Sequence, residues 1–346
     1  MIQVGIVGYG YAGRAFHAYL IPLANGLKLT GIATRDPARR AAAAADQGVT
    51  TYATLSDLLT DDRIQLVVIA TPHDSHTELA IQAMDAGRHV VIDKVMCLTA
   101  AEADALIAAS KRNGVLLSVF HNRRWDWDFL TVKKILADGL IGQPYLIETA
   151  VLRYRASRSW RANKAQSGGL LFDWGAHLID QALQLVPSRP VSVFCDVQKH
   201  LWEGDTEDHV KCLIRFENGL LYTAEVGNLA RIDKPRWFIL GTQGALSKNG
   251  LDPQEPPMIR GNIDAAVEPP ENRARVVTTL NGLTVDMTVE TEKGSWKSFY
   301  QNISDVLLHG AELVVKPEGV RTVMAVLDAA RESERTGEVA KVRDGA

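Results

Sequence analysis

Up to Phe120 the chain alternates short apolar runs with segments of helical period. Ile2–Val7, Lys28–Ala33, Ile64–Ala70, His89–Ile92 and Val115–Phe120 are nearly continuous in Val, Ile and Leu. Strands buried on both faces read this way, and a parallel sheet covered by helices produces them. Helix-start signals lie between the runs: Pro37 follows Asp36, Asp74 and Ser75 precede a periodic run, and Thr99 with Glu102 has capping-box spacing. The alternation predicts a doubly wound α/β domain over residues 1–122.

After Phe120 the rhythm changes. Trp125 to Asp138 reads as one amphipathic helix closed by Gly139. From Tyr145 onward most segments alternate. Val210, Cys212, Ile214 and Phe216 interleave with Lys211 and Arg215, and Asn218-Gly219 turns the chain into Leu220, Tyr222, Ala224 and Val226, a hairpin signal. Further strands are expected near 190–199, 236–241, 274–280 and 283–290. Residues 251–273, rich in Pro, Asn and charge, read as an irregular loop, and a final helix runs from about Pro317 to Gly337. Residues 123–346 are thus expected to form an α+β domain with a mostly antiparallel sheet.

Composition narrows the function. A chain of 346 residues is too long for one ordinary core and suits two domains. A net charge of −3 gives no electrostatic reason to expect nucleic acid or an anionic membrane. Apolar stretches such as Leu66 to Ala70 are too short to span a bilayer, and the chain enters a strand pattern at Ile2 without a basic-then-apolar leader. Cys97, Cys195 and Cys212 are odd in number and widely spaced, which argues against a disulfide framework or a metal site and for a reducing cytoplasm.

Residues 8–13, Gly-Tyr-Gly-Tyr-Ala-Gly, match G-x-G-x-x-G directly after the first strand. Gly8 permits the tight turn, Gly10 lets backbone approach a pyrophosphate, and Gly13 allows close helix–strand packing. A dinucleotide is therefore expected on Gly8, Tyr9, Gly10, Tyr11, Ala12 and Gly13. The second strand ends in Thr34-Arg35-Asp36. An NAD-selective carboxylate would fall at Thr34, whereas Arg35 suits a 2′-phosphate, and Asp36 before Pro37 reads as a helix cap. NADP is the expected cofactor, with NAD as second choice. Thr71, Pro72, His76, Asp93, Lys94 and Asn122 also fall where strands end and are expected near the dinucleotide.

Ser167-Gly168-Gly169 leads into a helical stretch carrying Asp173 and His177, four apart and hence on one face, with Asp180 three further on. Taken singly, Lys94 could be a solvated strand end, Asp173 a cap and His177 a core histidine. Together with the glycine loop, the Asp93-Lys94-Val95 turn and the Gly-Gly-x-x-x-Asp-x-x-x-His stretch resemble the Gfo/Idh/MocA oxidoreductases. The likeness extends to Glu332–Gly337. Leu117–Asp126 and Gly250–Glu255 are most similar to the branch containing NADP-dependent scyllo-inositol dehydrogenase. The resemblance implies a Rossmann domain, a second domain with an open sheet, reversible oxidation of a sugar or cyclitol hydroxyl, and a catalytic group of Lys94, Asp173 and His177. The family usually has proline, often after a cis peptide, where this chain has Val95; valine disfavours cis by roughly 2.5–4 kcal/mol.

Hydride transfer from a secondary alcohol needs a base for the hydroxyl proton, and imidazole, with an unperturbed pKa of about 6.5, suits neutral pH. His177 is the expected base, Lys94 the cation stabilising the oxygen and Asp173 the orienting group; which of Lys94 and His177 moves the proton stays open. The nicotinamide carries the redox chemistry, so no metal is expected. Arg123, Tyr154, Arg155, Trp160 and Arg161, with Asn122, Arg153 and Trp237, are expected to line a polyol site. A homodimer, or a tetramer built from dimers, is expected to cover the open sheet. A keto-sugar reductase and a non-catalytic dinucleotide sensor are the alternatives, and the sensor would have no need of Lys94, Asp173 and His177.

Overall fold

The computed structural model describes residues 1–343, which form two compact units. The first comprises Met1–Asn122, Glu255–Ala265 and Ser295–Arg321; the second comprises Arg123–Gln254, Ala266–Gly294 and the chain from Thr322. The units are not contiguous in sequence, unlike the expected division into 1–122 and 123–346. The reason is visible in the helix Lys297–His309, whose Phe299 and Tyr300 pack on Phe120 and whose Ser304 donates to the Asn25 carbonyl.

In the first unit a six-stranded parallel sheet runs β3-β2-β1-β4-β5-β6. Its strands are β1 (Ile2–Val7), β2 (Leu27–Ala33), β3 (Thr50–Tyr52), β4 (Leu66–Ile69), β5 (His89–Ile92) and β6 (Leu117–Val119). This is the dinucleotide-fold strand order, with the switch between β1 and β4. Every residue of β4 is fully buried, as expected for a strand covered on both faces. Local chemistry sets the helix ends. Asp36 Oδ1 accepts from the Ala38 and Arg39 amides at 2.9 and 3.3 Å, Pro37 opens the helix Pro37–Gln47, and Gly48 closes it at φ 62°. Thr99 caps Ala100–Asn113, and the Glu102 carboxylate accepts from the Leu98 amide.

The second unit holds a nine-stranded sheet ordered β14-β13-β12-β11-β7-β10-β9-β8-β15. Its strands are β7 (Pro144–Leu152), β8 (Pro190–Gln198), β9 (His209–Phe216), β10 (Leu221–Gly227), β11 (Trp237–Gly241), β12 (Gly244–Lys248), β13 (Ala274–Leu280), β14 (Leu283–Val289) and β15 (Ala340–Lys341). Only the β7–β10 pair is parallel. The expected hairpin turns at Gly219, φ 88°. The register gives each face a continuous row of side chains. Cys195, Cys212, Ala224, Thr149, Trp237 and Lys248 follow one another across the sheet and are all buried. The opposite face carries Phe194, Leu213, Thr223, Glu148 and Phe238, with both phenylalanines exposed. Cys195 and Cys212, far apart in sequence, are direct cross-strand partners with sulfurs 3.0 Å apart.

Two segments differ from expectation. Residues 251–273 contain short helical turns at Glu255–Ile259, Ile263–Ala265 and Pro270–Asn272 rather than an irregular loop. The helix expected from Trp125 begins at Trp127, because Asn122–Trp125 forms a separate tight turn and the Trp127 amide donates to Asp252 at 2.7 Å. Among the described residues no helix is long and apolar enough to cross a membrane, and no group of three His, Cys, Asp or Glu could hold a metal.

Candidate active site

In the first unit the parallel strands deliver their following loops to one edge of the sheet. Gly8 leaves β1 at φ +100°, and a Cβ there would stand 2.3 Å from the Ala70 carbonyl oxygen. A Cβ on Gly13 would lie 2.1 Å from the Gly8 oxygen, so neither position accepts a side chain. A Cβ on Gly10 would meet only Arg39 Nη1, at 4.0 Å, so a phosphate can approach this backbone. The helix that follows is wound as a π-turn over Gly13–His17 before returning to α geometry. Its geometry fits a pyrophosphate at a helix start.

Side chains around this loop divide into those that face outward and those used internally. Tyr11 is exposed, and its hydroxyl donates to Glu255 Oε1 at 2.8 Å. Tyr9 is buried; its hydroxyl donates to Asp46 and accepts from Gln47, so its side chain is packing and only its backbone can meet a ligand. His76 likewise corrects the expectation of a cofactor contact. It is fully buried, with Nδ1 2.7 Å from the Val95 oxygen and Nε2 3.0 Å from the Thr71 oxygen, and burial pushes its pKa down. The neutral ring donates to one of these two carbonyls and packs between the loops that carry Thr71-Pro72 and Asp93-Lys94. Ser75 Oγ donates to the Pro72 oxygen at 2.7 Å and accepts from the Thr71 hydroxyl at 2.7 Å, shaping the first of them.

At the end of β2, Arg40 Nη1 donates to the Thr34 and Arg35 carbonyls at 2.8 and 2.9 Å. Arg35 itself is exposed. The Asp36 carboxylate caps its helix through Oδ1, and Oδ2 lies 3.4 Å from Arg39.

The Asp93-Lys94 turn closes β5. The peptide between Lys94 and Val95 is cis, so the substitution of valine for proline does not bring the trans form that valine favours. Asp93 Oδ1 accepts from the Lys94 amide at 2.9 Å. His17, on the glycine-loop helix, brings Nε2 to 3.6 Å from the same oxygen. Burial alone would raise the Asp93 carboxyl, but His17, Lys94 and His76 outweigh it and hold it at about 2. Asn122, which follows β6, is buried.

In the second unit, Gly168 and Gly169 turn at φ 76° and 84°. Glu207 explains the second glycine: its Oε1 accepts from the Leu171 amide at 2.9 Å, capping the next helical turn. That turn, Leu171–Gly175, is again π-wound and carries Asp173; His177 follows in the first turn of the helix Ala176–Leu185. Asp173 is half-buried, with Oδ1 3.5 Å from Arg161 Nε. His177 is buried with its ring edge-on to Trp174 at 5.8 Å. The Arg123 and Arg153 guanidiniums stand 4.3 and 4.2 Å from the Trp174 ring centroid, close enough for cation–π attraction. Arg161 in turn lies 4.5 Å from the Trp160 centroid.

Two expected lining residues go elsewhere. Tyr154 packs against Trp202 and under Arg231, 3.6 Å from its ring. Arg155 is exposed. Trp237 is fully buried and donates its indole N–H to Asp128 at 2.7 Å, so it belongs to the core. Asp180, expected to share the His177 face, holds Arg124 by two bonds of 2.7 and 2.9 Å. Behind it Gln181 donates to the Arg123 carbonyl and accepts from Arg236, which also pairs with Asp128. This buried layer, with Glu207, was not read from sequence; the only signal was the charge density of Arg123-Arg124-Trp125-Asp126-Trp127-Asp128, since charges inside a fold must be paired.

Comparison with known proteins covers nearly the whole chain. Residues 2–121 match the model of an oxidoreductase family with an NAD-binding Rossmann fold, and residues 129–247 match the model of the GFO/IDH/MocA C-terminal domain. The chain is 34% identical to the Escherichia coli oxidoreductase YdgJ over 96% of each protein. It is 31% identical to the Bacillus subtilis scyllo-inositol 2-dehydrogenase (NADP(+)) IolW, over 96% of this chain and 94% of that protein. The solved structure of the oxidoreductase yvaA from Bacillus subtilis superposes with a TM-score of 0.92 at 30% identity, covering 99% of this chain and 98% of that one.

Proposed function

Because the chain belongs to the Gfo/Idh/MocA family of NAD(P)-dependent oxidoreductases, with an NAD-binding Rossmann domain, we propose that it interconverts a secondary ring hydroxyl of a neutral cyclitol or pyranose and the corresponding ketone, using NADP(H). The observation that carries this reading is the Asp93-Lys94 turn. His17 of the glycine-loop helix reaches it, so a cation lies at the same sheet edge as the dinucleotide loop.

The nicotinamide, when bound, exchanges the hydride. His177 takes the hydroxyl proton in oxidation and returns it in reduction, while Lys94 stabilises negative charge on the oxygen. Asp173 orients the group and balances its charge, itself steadied by Arg161. Trp174 fixes the plane against which His177 rests.

NADP is favoured because the Asp36 carboxylate is committed to capping and to Arg39, which leaves Arg35 as the exposed group after β2. A neutral polyol is favoured over a phosphate or carboxylate because the nearby arginines are already engaged. Arg123 pairs with Asp126 at 3.1 Å, Arg161 with Asp173, and Arg153 stacks on Trp174. The similarity to the inositol dehydrogenase supports the same choice. Phe194 and Phe238, both exposed on one face of the nine-stranded sheet, support pairing of the chain with a second copy. The deciding experiment is a panel of inositols, pyranoses and their phosphates, assayed with each dinucleotide. Turnover of neutral rings with NADP(H) is expected; a tenfold preference in kcat/KM for a phosphate would overturn the substrate assignment.

A further inference from the structure

Behind the Asp93-Lys94 turn runs a chain of buried polar groups that the mechanism above leaves unassigned. His17 is fully buried, with Nδ1 2.6 Å from the Tyr300 hydroxyl and Nε2 3.6 Å from Asp93 Oδ1. Asp93 Oδ1 in turn accepts the Lys94 amide. Phe120 lies 4.6 Å from the imidazole centroid and also packs on Tyr300 and Phe299, so the chain is walled by aromatic carbon. Three elements distant in sequence meet here: the glycine-loop helix, the end of β5 and the helix Lys297–His309.

We propose that Tyr300 and His17 are positioning residues: the Tyr300 hydroxyl donates to His17 Nδ1, which places the imidazole proton on Nε2, and this N–H faces Asp93 and steadies the carboxylate that holds the Lys94 backbone. A neutral imidazole has one donor and one acceptor nitrogen, and a carboxylate only accepts, so the nitrogen facing Asp93 carries the proton. Burial pushes the Tyr300 phenol well above its ordinary range, so it keeps the proton it donates. At 3.6 Å the His17–Asp93 contact is electrostatic attraction rather than a formed hydrogen bond. In an apolar surround such attraction is weakly screened. Removing either ring should loosen the turn and misplace the Lys94 ammonium.

This inference rests on Lys94 being the catalytic cation, and its test is built so that the two can fail separately. Nitrogen-15 NMR of histidine-labelled full-length protein, with the His17 signals identified by their loss in His17→Gln, should show the Nε2–H tautomer and a shift away from it in Tyr300→Phe. Acetylation of Lys94, followed by peptide mass spectrometry with Lys28 as internal control, should be about threefold faster in Tyr300→Phe and His17→Leu, because a loosened turn opens more often to the reagent. With a turned-over polyol, kcat should fall about tenfold in both variants while KM for polyol and dinucleotide stays within about twofold. His17→Gln, which keeps a donor toward Asp93, should recover part of that loss. An Nδ1–H tautomer in the wild type, or unchanged Lys94 reactivity in both variants, overturns the inference whatever the substrate. Failure of every polyol to react overturns the proposed substrate class and leaves the first two measurements to decide this one.

Discussion

A methyl group on Gly169 would stand 2.3 Å from Glu207 Oε2, in a backbone conformation of φ +84° that side chains rarely adopt. Glu207 comes this close because it caps the turn that carries Asp173. Gly169→Ala should therefore cost about 2 kcal/mol or more, from left-handed strain and displacement of the Glu207 carboxylate. Activity should fall further than the remaining folded fraction explains. Denaturant unfolding alongside initial rates checks this, and a variant of wild-type stability would contradict it.

Cofactor choice follows from the end of β2. NADP(H) should bind more tightly than NAD(H) in calorimetric titration, and Arg35→Ala should weaken NADP(H) by about tenfold, the scale of one charge-assisted hydrogen-bonded contact. NAD(H) should be little affected. Equal or tighter binding of NAD(H) by the wild type would overturn the NADP preference and point to Asp36 as a ribose ligand.

Stability should decline between about pH 4 and pH 6 through one group. Burial, reinforced by the Asp128 charge, pushes Asp252 up to about 6, above the roughly 3.9 of an unfolded aspartate. Because the folded pKa is the raised one, its contribution is complete below the unfolded pKa and is lost as pH rises through the folded pKa. The two-unit gap corresponds to at most about 3 kcal/mol. Urea unfolding across this range should show the decline in the wild type and a flatter profile in Asp252→Asn; parallel profiles would contradict it.

Phe194 and Phe238, exposed on one face of the nine-stranded sheet, predict a homodimer or a tetramer of dimers in light scattering at micromolar concentration. Phe194→Asp with Phe238→Asp should lower the mass, since a charge on each side of a twofold interface is buried twice. A monomeric wild type would refute this use of the face.

Much of this was legible locally. Strands β1, β4 and β5 are continuous apolar runs, and the roles of Gly8 and Gly13 follow from spacing because a tight turn and close packing are local demands. β3 and β12 were missed because three to five residues give too short a period. Phe299, Tyr300, Ile303, Val306 and Leu307 repeat at helical spacing, but Trp296 at the N-cap of the helix offers no capping side chain. Glu207 and His17 could not be read at all, since their roles exist only through contacts with residues distant in sequence. Tyr9, His76 and Trp237 had the right position or composition for a site and are instead buried supports.

The most direct test of the account is turnover by His177→Ala on the best neutral ring substrate, measured together with NADP(H) affinity. Loss of the base should lower kcat by roughly 10²–10⁴-fold. Dinucleotide binding should stay near wild type, because His177 belongs to the second unit and the glycine loop to the first. Lys94→Ala should show a comparable loss of kcat. A His177→Ala protein with near-full turnover would contradict the assignment of the base and, with it, the proposed chemistry of the site.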